Sequence, residues 1–396
     1  MGIGRYGQQS RAQWLPLFKQ VAYVYSFFQY DEVSSAAQKL ATVYPETVKV
    51  EKLGTSVRSR ELFALLVTDQ KGATNRPAVL MTATTHGDEP LSLSTILYFI
   101  RTVLRDRDSE PVKRLLEKTR LYFVPIINPD AWVSGVRGEG PYEKNSRDTC
   151  SKDPSKSGVN LGHNYNFQFD TYLPANSNRQ SQYEDPCSPE YHGPEPFSEP
   201  ETAAIRDLVG RINPKVTVFI HQRSGDTSSL VIPYTYHPAN ATYQSSAFKL
   251  MHSSDASEYK AITEGMSSAS SDVKYMVGSS YEVSKHTISG SEVDWAFDQA
   301  NSFAVMMQVA NGDRGAWPSR GHIEDLVKVH TKPLLQLTIT AETLKPKTGR
   351  PGKSITKHVQ TAFYIVPMIL GVVLAFILMI GYVVARALGY DKIWDR

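Results

Sequence analysis

Four short apolar runs, "ELFALLVTD", "PAVLMTATT", "RLYFVPIIN" and "KVTVFIHQ", constrain this chain most, because the last three are almost continuously hydrophobic. Strands with one wet face alternate apolar and polar residues; near-continuous runs belong to strands buried on both faces. Amphipathic stretches lie between them, among them "SLSTILYFIRTVLRD" and "SEPETAAIRDLVGRI", the latter opening with Ser, Glu and Pro as a helix start does. That alternation predicts an α/β fold with a central, mostly parallel sheet and helices on its faces. A chain of 396 residues is long enough for one large domain of this kind with appendages, and no internal repeat is visible.

The chain is 41% hydrophobic and 21% charged, with a net charge of +3 and no acidic or basic block, a pattern that argues against a nucleic-acid partner. One segment departs from this ordinary composition. From Phe363 to Ala385 no residue is charged, and about 20 apolar residues at 1.5 Å rise suffice to cross a hydrocarbon core. The reading is a transmembrane helix over 362–386 that meets membrane lipid, a buried core helix being the alternative. The expected organisation is an N-terminal extension (1–24), a folded domain (25–342), a basic linker (343–361), the span, and a short tail (387–396).

Signals for the compartment conflict. Positive charge is denser before the span (Lys345, Lys347, Arg350, Lys353, Lys357) than after it, which keeps the domain on the synthesis side. Residues 1–30 carry Arg5, Arg11 and Lys19 and a poorly formed secretory signal, closer to a mitochondrial targeting segment. Against this, the only two cysteines, Cys150 and Cys187, would bridge in an oxidising space or remain free thiols in a reducing one. Asn240 opens a triplet that could be glycosylated. The mitochondrial inner membrane and the secretory pathway or cell surface both remain open.

In open α/β sheets, ligands gather at the carboxyl ends of strands. His86 and Glu89 directly follow "PAVLMTATT", and His221 closes "KVTVFI". Two imidazoles and one carboxylate delivered to such an edge suit Zn²⁺ and leave a fourth position open; a hydrogen-bonded structural histidine is the alternative for each taken alone. The Gly-, Ser-, Asn- and Pro-rich middle of the chain, around residues 135–196, should form long surface loops near that site.

The ordered series "THGDEP", "INPDAW", "YEKNSR", "GVNLGHNYNF", "CSPEYHGPEPFSEPET", "FIHQRSGDTSSLVIPYTY" and "SGSEVDWAFDQ" resembles the zinc carboxypeptidases of the pancreatic carboxypeptidase A type, the M14 peptidases, from about Tyr25 to Glu342. The resemblance implies an α/β/α sandwich around an eight-stranded mixed sheet. It also implies one zinc ion on His86, Glu89 and His221, and a Cys150–Cys187 disulfide.

Departures from the family pattern bear directly on activity. The resemblance places the general-base glutamate at Gln308, or at Met307 if the alignment slips by one, and neither residue can take a proton from an attacking water. Glu143 stands where the family has the oxyanion arginine, and losing one such donor costs about 10²–10³ in rate. Arg137 or Arg147 could substitute if the alignment shifts, and Lys144 could also reach the site. The carboxylate-gripping Asn-Arg pair reads Gly162-His163, followed by Asn164, and the covering tyrosine reads His286. Val293 makes the implied specificity pocket apolar. The reading is a catalytically silent, membrane-anchored domain with a structural zinc, acting as a binding or accessory subunit with protein partners in a membrane assembly. An active metallohydrolase of altered specificity, with His163 or His286 orienting substrate, and a peptide or anion receptor are the alternatives.

Overall fold

The computed structural model describes residues 29–139, 143–169, 182–235, 247 and 251–347. Its strands are β1 (Val48–Thr55), β2 (Glu61–Val67), β3 (Ala78–Ala83), β4 (Arg120–Val124), β5 (Pro214–Arg223), β6 (Ser228–Val231), β7 (Tyr275–Gly278) and β8 (Phe303–Ala310). Its helices are α1 (Tyr30–Val43), α2 (Pro90–Arg105), α3 (Glu110–Lys118), α4 (Pro129–Arg137), α5 (Pro200–Ile212), α6 (Ser253–Ser268), α7 (Ser280–Ser284), α8 (Glu292–Asp298), α9 (Arg320–Lys328) and α10 (Thr331–Thr343).

The strands form one eight-stranded sheet in the order β1-β2-β4-β3-β5-β8-β6-β7. Strands β4, β3, β5 and β8 make a parallel block. Antiparallel β1 and β2 extend it on one side, and β6, antiparallel to β8, carries β7 on the other. The mixed α/β architecture agrees with the expectation from the apolar runs, all four of which became strands.

Burial explains their composition. Every residue of β3 is buried, and β8 is buried at every position except Gln308. Helix α2 packs on β3, β5 and β8, and α8 packs on β5 and β8. Local chemistry sets where helices begin: Pro90 and Pro129 occupy first turns, where no amide donor is needed. Asn128 also caps α4 by accepting from the Ala131 amide.

Chain order reverses direction at β3, whose neighbours β4 and β5 lie on opposite sides. A crevice opens outside the carboxyl ends of strands at such a switch point. This is where the His86 loop and the end of β5 meet.

Between α4 and α5 the described residues contain no strand and only short helical turns. A disulfide joins Cys150 to Cys187 there, with the Cα atoms 4.9 Å apart. At the C-terminal side the packed domain runs into the expected linker: Leu344 is buried, and Lys347 sits 3.8 Å from the Phe297 ring centroid. No helix among the described residues is long and apolar enough to cross a membrane. The expected span at 362–386, the 1–24 extension, the 387–396 tail and the Asn240 triplet lie outside the described residues.

The bridge closes a loop across a sequence separation of 37 residues. Replacing both cysteines by serine is expected to cost about 3 kcal/mol of stability, measured by chemical denaturation; a loss well under 1 kcal/mol would show that the loop is held by its other contacts.

Candidate metal centre

The loop from Thr84 to Glu89 is tied at both ends before α2 begins. Ser92 Oγ accepts from the Thr84 amide at 3.1 Å and donates to the Glu89 carbonyl at 2.7 Å. Gly87 lets this loop lie on α4, because a Cβ there would stand 2.4 Å from the Ala131 carbonyl carbon. Any side chain at residue 87 would therefore push His86 and Glu89 out of place.

Both imidazoles point Nδ1 at one carboxylate oxygen: Glu89 Oε1 lies 3.0 Å from His86 Nδ1 and 2.9 Å from His221 Nδ1. One ligand atom from each residue falls within 4.8 Å of the others. The outer nitrogens are also engaged, His86 Nε2 with Asn160 Oδ1 at 3.1 Å and His221 Nε2 with Glu292 Oε1 at 2.6 Å. Acceptors on Nε2 hold the proton there and leave Nδ1 of each ring for a metal. Glu89 Oε2 is buried without a hydrogen-bond partner among the described residues. The donor set and this orphaned oxygen fit zinc.

The charges in this cluster depend on one another. Burial pulls the His86 imidazole down, but the Glu89 carboxylate more than offsets it, leaving its pKa at about 9. His221 behaves alike, with burial opposed by Glu89 and Glu292, and ends well above the ordinary histidine value. Burial raises Glu89, and the two imidazoles overcome it to bring the carboxyl to about 2.

A cavity of about 350 Å³ opens beside these ligands, and Glu143, Gly162, His163 and Gln308 also line it. Gln308 pairs with His221 across β5 and β8, and its Oε1 accepts from Ser229 Oγ at 2.6 Å. His163 is occupied on both ring nitrogens, by the Ser289 carbonyl at 3.2 Å and the Glu190 carboxylate at 2.8 Å. Ile288 and Met306 supply the apolar part of the wall.

Other expected site residues stand elsewhere. Val293 is fully buried in the hydrophobic core. Asn164 is fully buried too, its amide donating to the His192 and Glu195 carbonyls and to Ser198 Oγ. His286 is exposed and does not line the cavity. Met307 is fully buried. Lys144 turns away to the Ser188 carbonyl at 2.8 Å, and burial brings its pKa to about 8. Arg147 pairs with buried Glu199 at 2.8 Å, and Arg137 lies 4.0 Å from Glu139. None of these three cations lines the cavity.

Among the residues at the site that sequence reading did not single out are Glu292, Asp88 and Arg223. Glu292, with no exposed surface, holds His221; its signal is an acid inside an otherwise buried helix. Asp88 lines the cavity from within the "THGDEP" motif. Arg223 lines it as well, and its signal is position: two residues beyond His221, on the same strand face.

A family model described as zinc carboxypeptidase, Peptidase_M14, matches residues 33–332. Mouse carboxypeptidase A4 is 27% identical over 275 residues, which cover 68% of this chain and 59% of the relative. Carboxypeptidase B of Astacus astacus is 29% identical over 195 residues, covering 49% of this chain and 60% of the relative. The chain thus spans less than two thirds of the length of these relatives. Among solved structures, thrombin activatable fibrinolysis inhibitor superposes with a TM-score of 0.68 at 20% identity, covering 81% of this chain and 76% of the other. A carboxypeptidase A from Helicoverpa armigera gives 0.63 at 23% identity, covering 80% and 75%. At these identities the likeness shows the fold.

Metal must displace a proton from Nδ1 of each raised imidazole, so affinity should increase with pH up to about 9. Titration calorimetry at pH 7 in two buffers of different protonation enthalpy should report release of about two protons per zinc. Glu292→Gln should weaken zinc binding about ten-fold or more, and His221→Ala should abolish stoichiometric binding. Zinc affinity flat across pH 6–9 would contradict the charge assignment.

Proposed function

We propose that this chain, which belongs to the zinc carboxypeptidase family, uses the family's metal-bearing cavity to bind a ligand rather than to hydrolyse it. The observation that carries this reading is Gln308, the one β8 residue that is not buried, which lines the cavity beside His221 with its carbonyl oxygen held by Ser229. A carboxamide cannot accept a proton, so the general-base contribution, about 10²–10⁴-fold, is lost at that position.

The rest of the wall supports the same reading. Glu143 faces the cavity where an oxyanion would need a donor, and a carboxylate there opposes developing negative charge. Neither Arg137, Lys144 nor Arg147 reaches the cavity to replace it. Gly162 and His163 offer no free guanidinium to a terminal carboxylate. Zinc held by His86, Glu89 and His221 supplies a structural cross-link and Lewis acidity that can polarise a bound carbonyl. The residues that would turn this polarisation into proton transfer are absent from their expected places.

In this reading the 362–386 segment anchors the domain to a membrane, where it serves as a binding or accessory subunit for protein partners. The Cys150–Cys187 bridge supports an oxidising location for the domain.

A specific observation favours one second reading, an altered hydrolase. Asp88 and Glu143 both line the cavity. Burial raises the Asp88 carboxyl, with Glu89 and Glu143 adding to the effect against His86, and a raised carboxylate can act as a base near neutral pH.

The zinc-loaded protein is expected to release no C-terminal residue from peptides with apolar, basic or acidic ends, as read by mass spectrometry. Gln308→Glu alone should recover little; combined with Glu143→Arg, Gly162→Asn and His163→Arg it is the fairer restoration. Steady turnover by the unmodified chain, abolished by Asp88→Asn or Glu143→Gln, would replace the silent reading with the hydrolase.

A further inference from the structure

Among the described residues, Arg223 is the only lysine or arginine that lines the cavity. It closes β5 two residues beyond His221, so the two side chains leave the same face of the strand about 7 Å apart. Its partner across the β5–β8 ladder is Ala310, too small to cover a guanidinium. Arg223 Nη1 is buried without a hydrogen-bond partner among the described residues, and Nε makes one long contact, to the Ser224 carbonyl at 3.5 Å. Burial lowers its pKa, and no carboxylate counters the effect.

Arg223 as a whole is half-buried; an unpartnered donor such as its Nη1 is unfavourable, and a planar guanidinium is best satisfied by two oxygens of one carboxylate. The wall at Gly162 and His163 does not offer a place for that group. Gly162 has no side chain, and His163 already holds the Ser289 carbonyl and the Glu190 carboxylate. An anion arriving there would meet Glu190.

We infer that Arg223 is the carboxylate anchor of this cavity and that its ligand is a peptide whose carboxylate pairs with Arg223 while the adjoining residues lie over His86, Glu89 and His221. The inference rests on the binding reading proposed above and reverses the end of the cavity at which a carboxylate is held. A monoanionic carboxylate fits better than a phosphate dianion, because Asp88 and Glu143 share the cavity and repel the second charge. A chain terminus and an acidic side chain supply the same group, and the test separates them.

The experiment uses the full zinc-loaded chain in detergent micelles and isothermal titration with four short alanine peptides. One has a free C-terminus, one an internal glutamate with both ends blocked, one an internal phosphoserine, and one no charge. One of the two carboxylate peptides should bind about ten-fold tighter than the uncharged one, and whichever does so identifies the source. Arg223→Gln should reduce that peptide to the uncharged level, and Arg223→Lys, which keeps the charge but loses the fork, should retain part of the preference. If Arg223→Gln fails to fold, Arg223→Lys decides alone, with at least a three-fold loss expected. No carboxylate preference in the parent protein, a preference undiminished by these substitutions, or tighter binding of the phosphoserine peptide would overturn the inference. Mass spectrometry of the same mixtures tests the silent reading separately, since cleavage would sink that reading and leave the Arg223 result standing.

Discussion

A buried chain of hydrogen bonds running from Glu292 through His221, Glu89 and His86 to Asn160 is the constraint on which the rest of this structure depends. Glu89, His221 and Glu292 are all buried, and charges taken out of water must be paired to be tolerated. Two imidazolium ions balance the two carboxylates. A divalent ion with two neutral imidazoles balances them equally well. The site can therefore exist closed on itself or around zinc without leaving net charge in the interior. The same network ties α8, β5, the loop before α2 and the turn at Asn160, segments far apart in the chain. Loss of Glu292, His221 or Glu89 would leave a buried charge unpaired and loosen the others.

That network sits where it does because of the sheet. Parallel β3 and β5 deliver Ala83 and His221 to the same edge at the point where chain order reverses. Gly87 lets the intervening loop press onto α4, the disulfide-closed segment brings Gly162 and His163 to the cavity wall, and the stretch before it brings Glu143. The fold thus keeps the shape of a metallopeptidase site, whereas the side chains that face the cavity have changed in character. Carboxylates (Asp88, Glu143), a carboxamide (Gln308), an occupied imidazole (His163) and one guanidinium (Arg223) line it. The function proposed for this cavity rests on that composition: Gln308 lines it beside His221 and cannot serve as a base.

Particular elements show how far the chain could be read in advance. Strands β2 to β5 were legible because each is a local apolar run between turn residues, and α2 and α5 because their amphipathic period is local as well. Strands β6 and β7 were not, being four residues each and stabilised by cross-strand pairing. Strand β1 was missed because its side chains are largely half-exposed and charged. Val293 and Asn164 carried motif-like positions yet point into the core and into backbone carbonyls. Adjacency to a motif does not specify which way a side chain faces.

By itself, then, the sequence determined the α/β class, the parallel core and the His86, Glu89, His221 set, because burial pattern and strand-end placement are properties of short segments. The resemblance added the expectation that Gln308 and Glu143 stand at the general-base and oxyanion positions, where an amide and a carboxylate lack the required chemistry. Only the tertiary structure decided that Glu292 holds His221, that Lys144 and Arg147 are spent on Ser188 and Glu199, and that Arg223 stands unpaired in the cavity wall. The first three follow from contacts between residues 44 or more positions apart; the last follows from the β5–β8 register, which sets small Ala310 opposite Arg223 and leaves Nη1 without a hydrogen-bond partner among the described residues.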